Sequence, residues 1–182
     1  MSLTRRDLVG GLAALAPLAP ALAAAPKSDP QLDRAAATAL QRLVAGNQAA
    51  RLLNEKALAV LVFPKIVKAG FLVGGAYGEG ALLQNGRTIG YYHSAAASYG
   101  LQAGLQWFGY ALFFMNAAAL KYLDDSAGFE VGVGPSVVVV DQGAARKFSS
   151  TTLSQDVYAF IFNQQGLMAG LGIEGSKITK LQ

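Results

Sequence analysis

The sequence predicts an α+β domain in which an N-terminal helical segment packs on a strongly curved, glycine-rich antiparallel β-sheet, barrel-like or sandwich-like. One further helix is predicted to be inserted in the sheet. Three patterns support this fold class: helical periodicity before residue 57, short β-branched and aromatic runs after it, and glycines at even spacing within those runs. The chain has 182 residues, 53% of them hydrophobic, which suits one domain with a sizeable core.

The segment before the sheet is predicted to form two helices. Asp29-Pro30 is a favourable helix opening, because the Asp side chain can accept from free amides and Pro has no amide to leave unpaired. Gly46-Asn47 predicts a break, followed by a second short helix to about Lys56. Apolar residues of the first helix repeat at intervals of three and four, so we expect them to pack on the domain core. These residues are Leu32, Ala36, Leu40, Leu43 and Val44.

Strands are predicted from residue 58 onward. Asn85-Gly86 is the clearest hairpin signal, because a type I′ turn requires positive φ at both central residues. Such short connections make neighbouring strands antiparallel. Asn116 to Leu123 is predicted to be the inserted helix, with Asn116 as its cap. The predicted strands are Leu58 to Phe63, Ala69 to Tyr77, Ala81 to Gln84, Thr88 to His93, Ser98 to about Phe114, Phe129 to Val140, Val157 to Phe162, Leu167 to Ile173 and, more weakly, Lys177 to Leu181.

Glycines recur at even spacing, which places each set on a single strand face. Because glycine weakens a strand, this repetition needs a physical reason. Close approach of another layer, or sharp coiling of a bent sheet, is favoured over a lipid-contacting cleft. The sets are Gly70, Gly74, Gly78 and Gly80; Gly100 and Gly104; Gly128, Gly132 and Gly134; and Gly166, Gly170 and Gly172.

The first 23 residues have the features of an export signal. Arg5 and Arg6 give a charged start, an uncharged run extends from Leu8 to Pro26, and small residues allow cleavage after Ala23 or Ala25. The paired arginines indicate the twin-arginine route, which carries folded bacterial cargo. The chain has no cysteine, so neither a lipoprotein anchor nor a disulfide is expected. We therefore expect a periplasmic or secreted protein that is peripheral to the membrane.

The predicted organisation is an export signal at 1–23, an N-terminal helical segment at 24–56 and a β-rich domain at 57–182. Residues 24–182 carry 13 Lys and Arg and 10 Asp and Glu, a net charge of +3. That is a mild bias towards anionic partners and lacks the clustered basic footprint of a nucleic-acid binder. No nucleic-acid partner is expected.

Three glycine-rich blocks resemble the SYLF family of lipid-binding domains. They run from Val62 to Leu83, from Ser98 to Gln106 and from Gln165 to Ser176, and the resemblance covers roughly Ala57 to Ile178. Three ordered blocks are more specific than a single motif. The resemblance implies an anionic phospholipid or membrane surface as partner and brings no reaction with it. Fungal relatives also bind actin, which is not expected of an exported bacterial protein.

The resemblance implies lipid-binding lysines at Lys68 first and Lys65 second, and both are predicted to flank a turn after Pro64. Arg87, just past the hairpin turn, and the pair Arg146 and Lys147 are further candidates. Each basic residue near an anionic membrane contributes about 1 kcal/mol, so four or five converging residues would suffice for reversible docking. For each residue, a solvated surface cation is the alternative interpretation.

Enzyme chemistry is poorly supplied, and we predict no catalytic residues, cofactor or metal. The chain has no cysteine and one histidine, which excludes Cys-His catalysis and a His-rich zinc site. The run from Gly170 to Gly175 spells a dinucleotide motif, but seven residues after it are too few for the helix and strand that such a site needs.

Two other classes remain open on the sequence. One is a small outer-membrane or envelope structural protein. The other is a carrier or enzyme for a hydrophobic small molecule, with aromatic residues lining its cavity, although aromatics at this spacing more often belong to a core. The aromatic residues in question are Tyr77, Tyr91, Tyr99 and Trp107.

Overall fold

One long hairpin forms most of the sheet: strand β1 (Ala59–Gln84) turns directly into strand β2 (Arg87–Phe114). The computed structural model describes residues 28–125, 128–130, 134–140, 154–166 and 176–181, without the side chains of 71–73 and 98–103. The remaining elements are α1 (Pro30–Gly46), α2 (Gln48–Lys56), α3 (Ala117–Asp125), β3 (Phe129–Glu130), β4 (Val137–Val139), β5 (Val157–Gly166) and β6 (Lys177–Lys180).

The described strands form one six-stranded sheet in the order β3-β6-β2-β5-β4, with β1 also paired to β2. The predicted α+β class with a strongly curved sheet is confirmed. The sheet is mixed rather than wholly antiparallel, because β4 pairs with β5 in parallel, Val137 opposite Val157. The connection between these two strands, residues 140–156, has the length that a parallel crossover requires.

The predicted turn after Pro64 is wrong, because Pro64 and Lys65 lie inside β1. The register of β1 against β2 shifts between Phe63 and Ile66, so Pro64 and Lys65, which lie between them, form a bulge. A bulge tolerates proline, which has no amide to donate to the ladder. The four predicted strands between residues 58 and 93 are thus parts of one continuous hairpin. Its turn was predicted correctly: φ is 49° at Asn85 and 76° at Gly86.

The hairpin coils until the second half of β1 meets the first half. A β-carbon on Gly78 would lie 2.6 Å from the carbonyl oxygen of Lys65, and one on Gly80 would lie 2.7 Å from that of Val62. No side chain fits at these distances, so glycine is required for the two halves of β1 to come together. The prediction that the repeated glycines serve close approach is confirmed at these two positions.

Alternate residues of the coiled hairpin build two core layers. The inner layer fills the concave side of the sheet and includes Leu61, Phe63, Ile66, Tyr110, Leu112 and Phe114. The outer layer includes Val60, Val62, Ala111 and Phe113, which pack against α1 and α2 through Ala36, Ala39, Ala50 and Leu53. Both faces of the start of β1 are therefore buried, which explains its uninterrupted apolar run.

The predicted helix starts are confirmed by their caps, whereas α3 extends to Asp125, two residues beyond the predicted end. The Asp29 carboxylate accepts from the amides of Gln31 and Leu32, both at 3.0 Å, and Pro30 begins α1. Asn47 separates α1 from α2, and its side chain accepts from the amide of Ala50 at 3.1 Å. In the same way, the Asn116 side chain accepts from the Ala119 amide at 2.9 Å and begins α3.

The longest uncharged stretch of the chain, Ser94 to Leu120, belongs to β2 and the start of α3. Within the described ranges, no helix combines the length and the apolar character that a helical membrane span needs.

Asp156 connects three elements at one edge of the sheet, and its protonation is expected to weaken the fold. Its carboxylate accepts from the Ser136 amide at 3.0 Å, the Ser136 hydroxyl at 2.9 Å and the Asn116 side chain at 2.7 Å. These hydrogen bonds, the Ser136 amide first, lower the pKa of Asp156. Because the folded pKa lies below the unfolded value of about 3.9, this stabilisation is present above that pH and is lost as the pH falls through the folded pKa.

The substitution Asp156→Ala should therefore lower Tm by several degrees at pH 7. The difference in Tm between the variant and wild type should become smaller as the pH approaches 3. Thermal melts followed by circular dichroism at both pH values check this. Asp125→Ala, which removes an exposed carboxylate paired with Lys121 on α3, is the control and should change Tm little. A Tm difference between Asp156→Ala and wild type that is equal at both pH values would contradict the expectation.

Candidate functional site

The outer face of the sheet carries a group of exposed apolar side chains at neighbouring positions of β1 and β2. Val67 lies opposite Trp107, and Ala69 lies opposite Leu105. The flanking residues Ile66 and Phe108 are buried on the inner face, so alternation directs these four outward. Val67 is 39% exposed and Leu105 is 48% exposed. We define the outer patch as Lys65, Val67, Ala69, Leu105 and Trp107.

A cation and a hydrogen bond hold the indole of Trp107 in this patch. The Lys65 ammonium lies 5.6 Å from the centre of the Trp107 ring, within the range of a cation–π contact. The indole N–H donates to the Gln165 side chain at 2.9 Å. The outer patch thus combines exposed aliphatic groups, an amphipathic aromatic ring and an exposed positive charge. Such a combination suits the boundary between water and lipid.

Lys68 lies on the opposite face of the sheet from Lys65. It pairs with Gln106, which is 4% exposed and belongs to the inner face. The two lysines therefore do not project together, as the predicted turn would have allowed. Gln106 Oε1 is buried without a hydrogen-bond partner among the described residues. The inner face near Lys68 therefore carries a polar side chain, Gln106, that is shielded from solvent.

Arg87 lies at the hairpin end of the sheet, away from the outer patch. The Lys65 backbone lies against Gly78, and Gln84, the partner of Arg87, lies six positions after Gly78 in β1. At the rise of a strand this separation is roughly 20 Å. The remaining candidates, Arg146 and Lys147, and the export-signal residues Arg5 and Arg6 lie outside the residues that the structure describes.

The carboxylates near the tyrosines of β1 and β2 have structural partners. Asp124 accepts from the Tyr92 hydroxyl at 2.8 Å and from the Lys180 ammonium at 2.7 Å. Burial raises the pKa of Asp124, but the hydrogen bonds from Lys180 and Tyr92 outweigh it, so the pKa is lowered. Burial, together with Asp124, raises the pKa of Tyr92. This group ties α3 and β6 to β2.

The histidine and the nearest carboxylate lie on the exposed outer face. His93 stacks on Tyr77 with ring centres 6.0 Å apart and lies opposite Glu79, which accepts from the Tyr77 hydroxyl at 3.0 Å. Among the described residues, no three His, Asp or Glu side chains are grouped as a metal site would require.

The aromatic residues of the carrier hypothesis are dispersed. Tyr91 is buried beneath α1, whereas Tyr77 and Trp107 lie on the outer face of the sheet. The side chain of Tyr99 lies outside the described part. A separate cavity of about 660 Å³ lies between the α1–α2 junction and strands β4 and β5. Its lining includes Arg42, Asn47, Val140, Phe160 and Phe162.

Sequence reasoning missed the outer patch because it placed a turn at Pro64. Once β1 is taken as continuous, the alternation from Ile66 onward identifies Val67 and Ala69 as outward residues. Their partners Trp107 and Leu105 alternate in the same way along β2. The missing information was the register of the two strands, which no local pattern in the sequence provides.

The described architecture is an α+β module built on a coiled hairpin and covered on one side by two helices. Residues 95–182 match the family model Ysc84, described as Las17-binding protein actin regulator. This region contains two of the three glycine-rich blocks, so the match supports the resemblance to the SYLF family over residues 95–182. The family is associated with lipid and actin binding. No curated protein sequence matches the chain.

Proposed function

We propose that this protein binds anionic phospholipid membranes through the outer patch and catalyses no reaction. The observation that carries the proposal is the exposure of Val67 and Leu105 beside a lysine held over Trp107. The association of SYLF domains with lipid supports it. Lys65 is the charged contact in this proposal. Lys68 faces the inner side of the sheet, so we assign it no contact with the membrane.

The expected affinity is modest and reversible. Burying the exposed halves of Val67 and Leu105 in lipid would contribute about 1 kcal/mol each. Lys65 would add about 1 kcal/mol near an anionic surface, and Trp107 suits the headgroup region. A few kcal/mol in total corresponds to peripheral docking. Arg146 and Lys147 remain candidates for further electrostatic contacts.

We further propose that the protein is exported by the twin-arginine route and acts in the periplasm or outside the cell. The pair Arg5 and Arg6, followed by an uncharged segment and small residues, supports this. In that compartment the anionic lipid would be phosphatidylglycerol or cardiolipin. Actin is not proposed as a partner there.

Removing the apolar contacts is expected to weaken vesicle binding about thirtyfold, since about 2 kcal/mol of apolar burial is lost. The variant is Val67→Ser/Leu105→Ser, and binding is measured by co-sedimentation with phosphatidylglycerol-containing vesicles at low and high salt. Lys65→Glu should weaken binding by a similar factor and flatten the salt dependence. Both substitutions alter exposed side chains, so folding should be retained.

Two variants serve as matched controls. Ile89→Ser removes an exposed apolar side chain elsewhere on β2, and Arg42→Glu reverses a charge on α1; both should bind as wild type does. Equal binding to neutral phosphatidylcholine vesicles, or full retention of binding in Val67→Ser/Leu105→Ser and in Lys65→Glu, would rule the proposal out. A protein partner for the SYLF domain would then become the leading hypothesis.

A further inference from the structure

A second basic feature lies at the hairpin end of the sheet, where α1 crosses the start of β2. An open cavity of about 590 Å³ is lined there by Arg34 of α1 and Arg87 of β2. The other polar residues in its lining are Ser28, Asp33, Thr88 and Tyr91. Two arginines therefore line one concave surface, about 20 Å from the outer patch by the strand rise given above.

The carboxylate in this cavity is hydrogen-bonded to hydroxyl groups and forms no ion pair with either arginine. Asp33 Oδ1 accepts from the Thr88 hydroxyl at 2.7 Å and from the Tyr91 hydroxyl at 2.8 Å. In the described part of the chain, the ion pairs are Lys121 with Asp125 and Lys180 with Asp124, and neither involves Arg34 or Arg87. The cavity lining thus has two arginines and one carboxylate, an excess of positive charge, and neither arginine is engaged in an ion pair in the described part of the chain.

The same hydrogen bonds fix the spacing of the two arginines. Arg34 follows Asp33 in α1, and Arg87 precedes Thr88 in β2, so the Asp33–Thr88 bond joins the positions next to both arginines. The Tyr91 hydroxyl reinforces this junction, because it also accepts from the Asp29 amide at 3.0 Å. The tight Asn85-Gly86 turn holds Arg87 from the other side. Both arginines therefore extend from anchored backbone.

We propose that Arg34 and Arg87 together bind a phosphate group in this cavity. Guanidinium groups match phosphate oxygens with paired, charge-assisted hydrogen bonds. The Ser28 hydroxyl can add a neutral donor. A phospholipid headgroup and a soluble phosphate ester present the same chemistry, and both are phosphate sources for this site. The site is separate from the outer patch and does not depend on the proposed membrane function.

The test is a titration of the protein with inorganic phosphate and with glycerol 3-phosphate, followed by NMR of backbone amides and arginine Nε–H groups. We expect saturable shifts at Gly86, Arg87 and Arg34. Arg34→Gln and Arg87→Gln should each weaken binding about tenfold, the loss of a hydrogen bond to a charged group. Arg42→Gln removes the same charge about 12 Å further along α1 and should leave the titration unchanged.

A parallel titration with phosphatidylglycerol-containing bicelles distinguishes the two sources. Shifts with soluble phosphate support a site for phosphate esters, and shifts that appear only with the bicelles support a headgroup site. No saturable shift with any of these probes, or equal weakening in Arg42→Gln, overturns the proposal. Val67→Ser/Leu105→Ser should keep the inorganic phosphate shifts, so failure of the outer patch and failure of this site are separable.

Discussion

Residues 95–182, the region that matches the SYLF family model, are expected to remain unfolded when expressed alone. This fragment lacks α1, α2 and β1 and begins inside β2. It loses inner-layer residues such as Phe63 and Leu61, and the outer layer loses its helical cover. The loss exceeds the whole stability of a typical domain, about 5–15 kcal/mol. Circular dichroism and NMR dispersion of the fragment check this expectation.

Residues 28–182 are the matched control, because they retain the Asp29 cap and all described elements. This longer fragment should give dispersed amide resonances and a cooperative thermal transition. A cooperative transition in residues 95–182 alone would contradict the role assigned to β1 and the helices. In that event the first half of the chain would be an accessory to the domain rather than part of its core.

Gly78→Ala is expected to destabilise the protein by about 3 kcal/mol, at the upper end of the range for overpacking. The added methyl group would meet the Lys65 carbonyl oxygen at 2.6 Å and the Ile66 side chain at 2.8 Å. The Lys65 oxygen is a backbone atom of the bulge in β1 and cannot move away without opening the contact between the halves of β1. Urea denaturation followed by tryptophan fluorescence measures the loss.

Two glycines provide controls for this substitution. Gly75 lies in the same strand, and the nearest atom to its added β-carbon is the Ala96 oxygen at 3.4 Å, an ordinary contact. Gly46 ends α1 with nothing within 4 Å, so alanine there should be neutral or stabilise by up to about 1 kcal/mol. Equal effects of Gly78→Ala and Gly75→Ala would mean that β1 does not close on itself as described.

The helical part of the fold was predictable because its signals are local. Asp29, Asn47 and Asn116 each mark a helix start through a hydrogen bond to an amide two or three residues away. The Asn85-Gly86 turn is equally local, since its conformation depends on the two residues themselves. Each of these features depends only on residues within three positions of one another, so the local sequence is enough to predict it.

The strands were harder to predict because their limits depend on distant partners. Pro64 ends a strand by its own preference, yet here it occupies a bulge that β2 and the inner layer accommodate. The same contact explains the glycines: Gly78 is small because of Lys65, thirteen residues earlier in the chain. From the sequence alone, the glycines indicated either close approach of another layer or sharp coiling of the sheet, without identifying the residues that come together.

The predicted site at Lys65 and Lys68 was affected by the same mistaken turn at Pro64. Two lysines three residues apart can project together from a turn, but in a strand they fall on opposite faces. The Lys65 ammonium therefore lies over Trp107, whereas Lys68 lies opposite Gln106 in the register. Arg34 and Arg87 could not be associated from the sequence either, because a helix–strand crossing brings them to one cavity.

The coiled hairpin also has a consequence for the order of folding. Its paired residues lie progressively further apart in the chain, from Gln84 with Arg87, three residues apart, to Ala59 with Phe114, 55 residues apart. Pairing can therefore begin at the Asn85-Gly86 turn and advance pair by pair, so that each step closes only a short additional loop. A slip of one residue near the turn would invert every later side chain. Fidelity of the whole sheet thus depends on a nucleus of a few residues.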